Sequence, residues 1–102
     1  MIQIHSDNEG SFRFSLRTEN GDTLLNSVPF SDKHEMDKSF RKLETMSLTR
    51  NQFERKTNTE GKFLFRLKDN DGRAIGHSEP YDSEAGMENG IKNFREQIRS
   101  LL

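Results

Sequence analysis

The chain has 102 residues, 16 basic and 17 acidic side chains for a formal net charge of −1, only 29% hydrophobic residues and a mean hydropathy of −0.98. That length holds one shared core, and the charge balance excludes a general attraction to nucleic acid or membranes. With no cysteine, disulfides, a thiol nucleophile and thiolate metal sites are excluded. Folding must therefore rest on eight Phe, each worth roughly 1.5–3 kcal/mol on full burial.

The first segment, Met1-Ile2-Gln3-Ile4-His5-Ser6-Asp7, lacks the basic stretch and apolar run of a signal peptide. No run in the chain approaches the ~20 apolar residues that span a bilayer, so a soluble, cytoplasmic protein is expected. Ile2 and Ile4 alternate with Gln3 and His5, which predicts a short strand with one buried face. A polar turn, Asp7-Asn8-Glu9-Gly10, follows. In the next strand Phe12, Phe14 and Leu16 point to one face and Ser11, Arg13, Ser15 and Arg17 to the other. A three-residue loop, Glu19-Asn20-Gly21 with Gly in the left-handed position, is preferred, because it sets Leu16 opposite Leu24.

After Thr23-Leu24-Leu25-Asn26-Ser27, Pro29 ends the ladder and Ser31-Asp32 starts a helix, with Glu35 completing a capping-box pattern. Met36, Phe40, Leu43 and Met46 form its apolar stripe. The polar link Ser47 to Asn51 is too short for a flexible interdomain linker. The whole pattern then recurs at an offset of 51 residues. Phe12, Phe14, Leu16 and Gly21 fall on Phe63, Phe65, Leu67 and Gly72, and Ser27, Pro29, Phe30 and Met36 fall on Ser78, Pro80, Tyr81 and Met87.

In the second copy Arg55 replaces Ile4, which suggests a sheet margin where a long stem can snorkel. Lys62, Leu64, Arg66 and Lys68 point outward, and the preferred loop sets Leu67 opposite Ile75. A second helix starts at Asp82 or Ser83 and carries Met87, Ile91, Phe94 and Ile98 on its stripe, with Leu101 and Leu102 beyond. Gly86 and Gly90 cost about 1 kcal/mol each in a helix, and close approach of helix to sheet would offset that. The chain is thus one domain, 1–102, of two repeats, about 1–46 and 52–98. The expected fold is α+β: three antiparallel strands plus one helix, twice, merged into one sheet with both helices on one face.

The second copy, with Gly61-Lys62-Phe63-Leu64-Phe65-Arg66-Leu67-Lys68, Asp71-Gly72-Arg73-Ala74-Ile75-Gly76-His77-Ser78, Tyr81 and Ala85-Gly86-Met87-Glu88-Asn89-Gly90-Ile91, resembles the YegP-like family of small bacterial tandem-repeat domains of unknown function. The first copy departs from that pattern, with Glu35, Lys38 and Ser39 at the places of Gly86, Asn89 and Gly90. The resemblance implies strands merged into one sheet, with strand exchange between units. It implies no activity, cofactor or catalytic residue.

Chemistry-bearing patterns are sparse. His5, His34 and His77 are too dispersed for a metal site. Asp69-Asn70-Asp71-Gly72 fails as a calcium loop, because Leu67 and Ser78 stand where ligands are needed, and it reads as a hairpin turn. No phosphate-binding loop or nucleophile elbow is visible, so neither catalysis nor a cofactor is expected. The one notable constellation is an outer sheet face carrying Arg13, Arg17, Lys62, Arg66 and Lys68 together. A solvated face is the simplest account of it, and contact with anions or nucleic acid is the alternative. Against nucleic acid, the strand aromatics face inward and are not free to stack on bases. A protein-interaction role ranks first, with Thr23 to Ser27, or Ala74 to Ser78, as the candidate edge strand for a partner or for self-association.

Overall fold

The computed structural model describes residues 2–6, 10–45 and 52–101. Met1, turn residues 7–9, Met46, the link 47–51, Leu102 and the side chains of Ile2, His5, Ser6, Glu44, Thr45 and Leu101 lie outside the described part. The order is β1 (Ile2–Ser6), β2 (Phe12–Arg17), β3 (Thr23–Ser27), α1 (Lys33–Thr45), β4 (Phe53–Thr57), β5 (Phe63–Lys68), β6 (Ala74–His77) and α2 (Glu84–Leu101).

All six strands form one antiparallel sheet in the order β1-β2-β3-β6-β5-β4. Alternation places Phe14, Leu16, Phe65 and Leu67 under the helices, where Met36, Leu43, Met87, Ile91, Phe94 and Ile98 close one continuous core. The rings interlock edge to face: Phe14 with Phe40 at 5.5 Å between centroids, and Phe53 with Phe65 and Phe94 at 5.6 and 5.9 Å.

Strands β3 and β6 meet at the middle of the sheet, Asn26 opposite His77. This corrects the expectation that Thr23 to Ser27 or Ala74 to Ser78 is an edge. Each of these strands has a partner on both sides, because the two copies join through them, and the true edges are β1 and β4. The expected burial of Ile4 is also corrected, since it is 57% exposed, in keeping with the sheet margin that the Arg55 counterpart suggested. It sits at the sheet margin opposite Phe14, where a neighbouring strand covers one side only. Its counterpart Arg55 reaches from the edge to α2, where Nη2 donates to Glu88 Oε2 at 3.0 Å and Nε donates to Oε1.

Both hairpins use the expected loop, with Gly21 and Gly72 at φ 88° and 83°, and Thr18 N and Asp69 N donating to Asp22 O and Arg73 O. The register beyond it differs. A bulge follows at once, so Leu16 pairs with Leu25 and not Leu24, and Leu67 pairs with Gly76 and not Ile75. The extra residue lets Leu24 and Leu25 both be buried in one copy and Ile75 be buried in the other, which a regular strand of period two does not allow. Gly76 has its own requirement, because a Cβ there would strike the backbone of Asn26 and Ser27 in the adjoining strand.

Ser27 and Ser78 end the central strands in the same way. Each buried hydroxyl accepts from a core strand amide, Phe14 N at 2.9 Å and Phe65 N at 3.0 Å, and donates onward to Val28 O and Glu79 O. The chain then returns across the strand end: Phe30 exchanges both backbone bonds with Phe12, and Tyr81 does so with Phe63. The helices start on side-chain caps, Asp32 Oδ1 accepting from His34 N and Ser83 Oγ from Gly86 N. The space over Gly86 and Gly90 belongs to Tyr81, not to the sheet as expected: a Cβ on Gly90 would overlap the tyrosine ring and hydroxyl.

Candidate functional site

One transverse row of polar residues crosses the whole outer face. Gln3 is opposite Ser15, Ser15 opposite Asn26, Asn26 opposite His77, His77 opposite Arg66, and Arg66 opposite Glu54. The cations expected on this face are present, but the sheet divides them.

On the β4–β5 side Glu54 collects three of them: Lys68 at 2.6 Å, Arg66 at 2.8 Å and Lys56 at 3.0 Å. Lys68, then Lys56, then Arg66 hold its carboxyl down from the ordinary 4.5 to about 2. Lys62 stands apart and binds Asp82 at the start of α2, Nζ to Oδ1 2.6 Å. That pairing lowers the Asp82 carboxyl and raises the Lys62 ammonium.

Arg13 and Arg17 lie on β2, separated from β5 by β3 and β6. With Phe14, Ser15, Asn26, Ser27 and His77 they line a depression of about 530 Å³. Its floor is the buried Ser15, whose Oγ donates to Asn26 Oδ1 at 3.0 Å, while Asn26 Nδ2 donates to Glu79 Oε1 at 2.8 Å. At the 51-residue offset, Glu54 corresponds to Gln3, Lys68 to Arg17, and Leu64 to Arg13. The second copy thus holds a carboxylate and an apolar residue where the first holds an uncharged amide and a guanidinium. Sequence reasoning listed Arg13 and Arg17 but missed Asn26 and His77, which only the β3–β6 junction brings beside them. No group of three or more His, Asp or Glu placed to share a metal ion occurs among the described residues.

The order of the strands, with two strand-strand-strand-helix units meeting at their third strands and both helices on one face, defines a duplicated α+β domain class. Residues 58–98 match the family described as domain of unknown function DUF1508. The chain is 31% identical over 94 residues to the UPF0339 protein in the ptx operon 5' region of Stutzerimonas stutzeri, covering 92% of this chain and 85% of that protein. It is 30% identical to the UPF0339 protein YegP of Escherichia coli K12, covering 92% and 86%. The solution NMR structure of E. coli YegP, a protein of unknown function, superposes with a TM-score of 0.82 at 29% identity, covering 95% of this chain and 80% of that one. That of the UPF0339 protein SO3888 from Shewanella oneidensis gives 0.85 at 26% identity, covering 93% and 80%. The chain belongs to this UPF0339, YegP-like family of bacterial proteins of unknown function. No described helix is long and apolar enough to cross a membrane.

Proposed function

We propose that the protein is a non-catalytic binding module that receives an anionic group of a partner protein at Arg13, Arg17, Asn26 and His77. The observation that carries this is the asymmetry of the outer face: the second copy places Glu54 among its cations, whereas the first has Gln3 at that position and a depression lined by two guanidiniums. An acidic side chain suits a depression lined by two arginines, because a planar guanidinium matches a carboxylate well. The shifted carboxylates fit a binding role better than a catalytic one. Glu54 and Asp82 are held ionised in ion pairs, not poised near neutrality as general acids or bases are.

A phosphate chain needs a continuous track, and Glu54 and Asp82 interrupt this one, so an acidic protein segment ranks ahead of nucleic acid. The absence of cysteine accords with a cytoplasmic partner. Fluorescence anisotropy tests the reading, using a labelled glutamate-rich peptide beside single-stranded and duplex oligonucleotides at low and high salt. Peptide binding that weakens with salt, disappears in Arg13→Ala/Arg17→Ala and survives in Arg66→Ala/Lys68→Ala is the expected result. Tighter binding of oligonucleotides would replace the acidic peptide by nucleic acid, and no binding at low salt would overturn the site.

A further inference from the structure

A second cavity, of about 390 Å³, opens between the first hairpin and α2. Thr18, Asp22 and Glu79 line one side of it, and Tyr81, Asn89 and Asn93 line the other, with Gly86 and Gly90 behind the tyrosine. Burial raises the Tyr81 phenol first, and the charges of Asp22 and Glu79 raise it further, so both carboxylates act on the same ring.

The other copy shows what such a place can hold. The two copies match in hairpin loop, bulge and strand-end bridge. At the 51-residue offset Thr18 corresponds to Asp69, and Asn93 to Lys42. There Lys42 Nζ of α1 lies 3.3 Å from Asp69 Oδ2 and closes the gap between helix and hairpin. Burial alone would raise the Asp69 carboxyl, but the backbone amide of Arg73, the Lys42 ammonium and the amide of Asp71 together hold it low. The chain's own primary ammonium is therefore the occupant of the equivalent place.

In the Tyr81 cleft that ammonium has become Asn93 and its partner Thr18. The surrounding charge has also changed sign, with Asp22 standing for Arg73 and Glu79 for Val28. The glycine at position 90, where the other copy has Ser39, keeps the tyrosine ring seated as one wall. Negative charge, an aromatic face and amide and hydroxyl oxygens together suit a primary alkylammonium: the carboxylates supply charge, the ring a cation–π contact, and the oxygens accept its N–H groups.

We propose that the Tyr81 cleft binds a primary ammonium group from outside the chain, carried by a lysine side chain of a polypeptide or by a free alkylamine. The site adjoins the outer-face depression through Glu79, whose Oε1 accepts from Asn26 Nδ2, and is opposite to it in charge preference.

The test is a chemical-shift titration of the full chain with n-butylammonium chloride and, separately, with a short end-capped peptide bearing one lysine. Tetramethylammonium and a norleucine peptide serve as controls. Dose-dependent shifts at the amides of Gly86, Asn89, Gly90 and Asn93 are expected with both amine probes and with neither control. Asp22→Asn/Glu79→Gln should weaken binding about tenfold, as loss of charge-assisted hydrogen bonds does. Thr18→Asp/Asn93→Lys, which rebuilds the internal pair, should abolish it while leaving the protein folded. Tighter binding of the lysine peptide than of butylammonium assigns the ligand to a protein, and equal binding assigns it to a free amine. Absence of shifts, equal shifts with tetramethylammonium, or unchanged binding in both variants would overturn the proposal. Arg13→Ala/Arg17→Ala should leave this titration unaltered, so the two sites stand or fall separately.

Discussion

Phe65 has no exposed surface, and its ring lies 5.6 Å from Phe53 and 6.3 Å from Phe94, so it ties an edge strand to α2. Truncation leaves a cavity that Phe53 and Phe94 cannot fill, and Phe65→Ala should cost roughly 3–5 kcal/mol in a denaturant melt. A loss below about 1 kcal/mol would contradict the packing described. Gly76 poses the opposite problem, because the atoms in the way belong to the backbone of β3 and cannot rotate aside. Gly76→Ala should therefore destabilise by about 1–3 kcal/mol or more by thermal denaturation, even though alanine loses less backbone entropy on folding. At this scale the inward phenylalanines were legible, since strand alternation alone assigns their face. The reason for Gly76 was not, because its obstacle sits some fifty residues away along the chain.

Among the elements, the β4–β5 pair depends most on charge. Glu54 on the edge strand is the common partner of Lys56, Arg66 and Lys68. Its folded pKa lies below its ordinary value, so the stabilisation is complete above about 4.5 and is lost as the pH falls towards about 2. Glu54→Gln should flatten the fall in melting temperature across that acid window, and unchanged slopes would show that the cluster contributes nothing to pH dependence. Register and strand order were the parts of the fold that sequence patterns did not disclose. The hairpin loop chemistry was right, but a bulge that buries Leu24 beside Leu25 is invisible to a period-two pattern. Likewise Thr23 to Ser27 looks like any terminal strand of a unit until a second unit pairs with it. The candidate site suffered from the same gap: Arg13 and Arg17 could be assigned to the outer face, but their separation from Arg66 and their proximity to His77 follow from the β3–β6 junction.

For the whole molecule, we propose that the two repeats are one folding unit. Val28 N donates to Ile75 O across the junction, Lys42 reaches the opposite hairpin, and the apolar residues of both copies share one cluster. A fragment of residues 52–102 would expose the β6 edge together with half of that cluster. It should either lose cooperative thermal unfolding or associate with itself, as sedimentation and a melt would reveal. A monomeric fragment with a sharp transition would show that the halves are independent. The Tyr81 cleft lay beyond sequence reasoning because its walls come from both repeats. The available signal was the set of differences between the copies: Tyr81 for Phe30, Gly90 for Ser39 and Asn93 for Lys42.

Asn26 and His77 face each other at the centre of the sheet and occupy equivalent places in the two copies. In an ancestral assembly of two identical chains, a residue at that position would confront its own twin, and every substitution would be made twice. Joining the copies in one polypeptide removes that obligation. An amide can then meet an imidazole on the pseudo-twofold axis, one half can gather cations on Glu54 while the other has Gln3 at that place, and one helix can carry Lys42 where the other carries Asn93. Duplication followed by fusion thus lets a symmetric scaffold diverge into two unlike halves around one shared core.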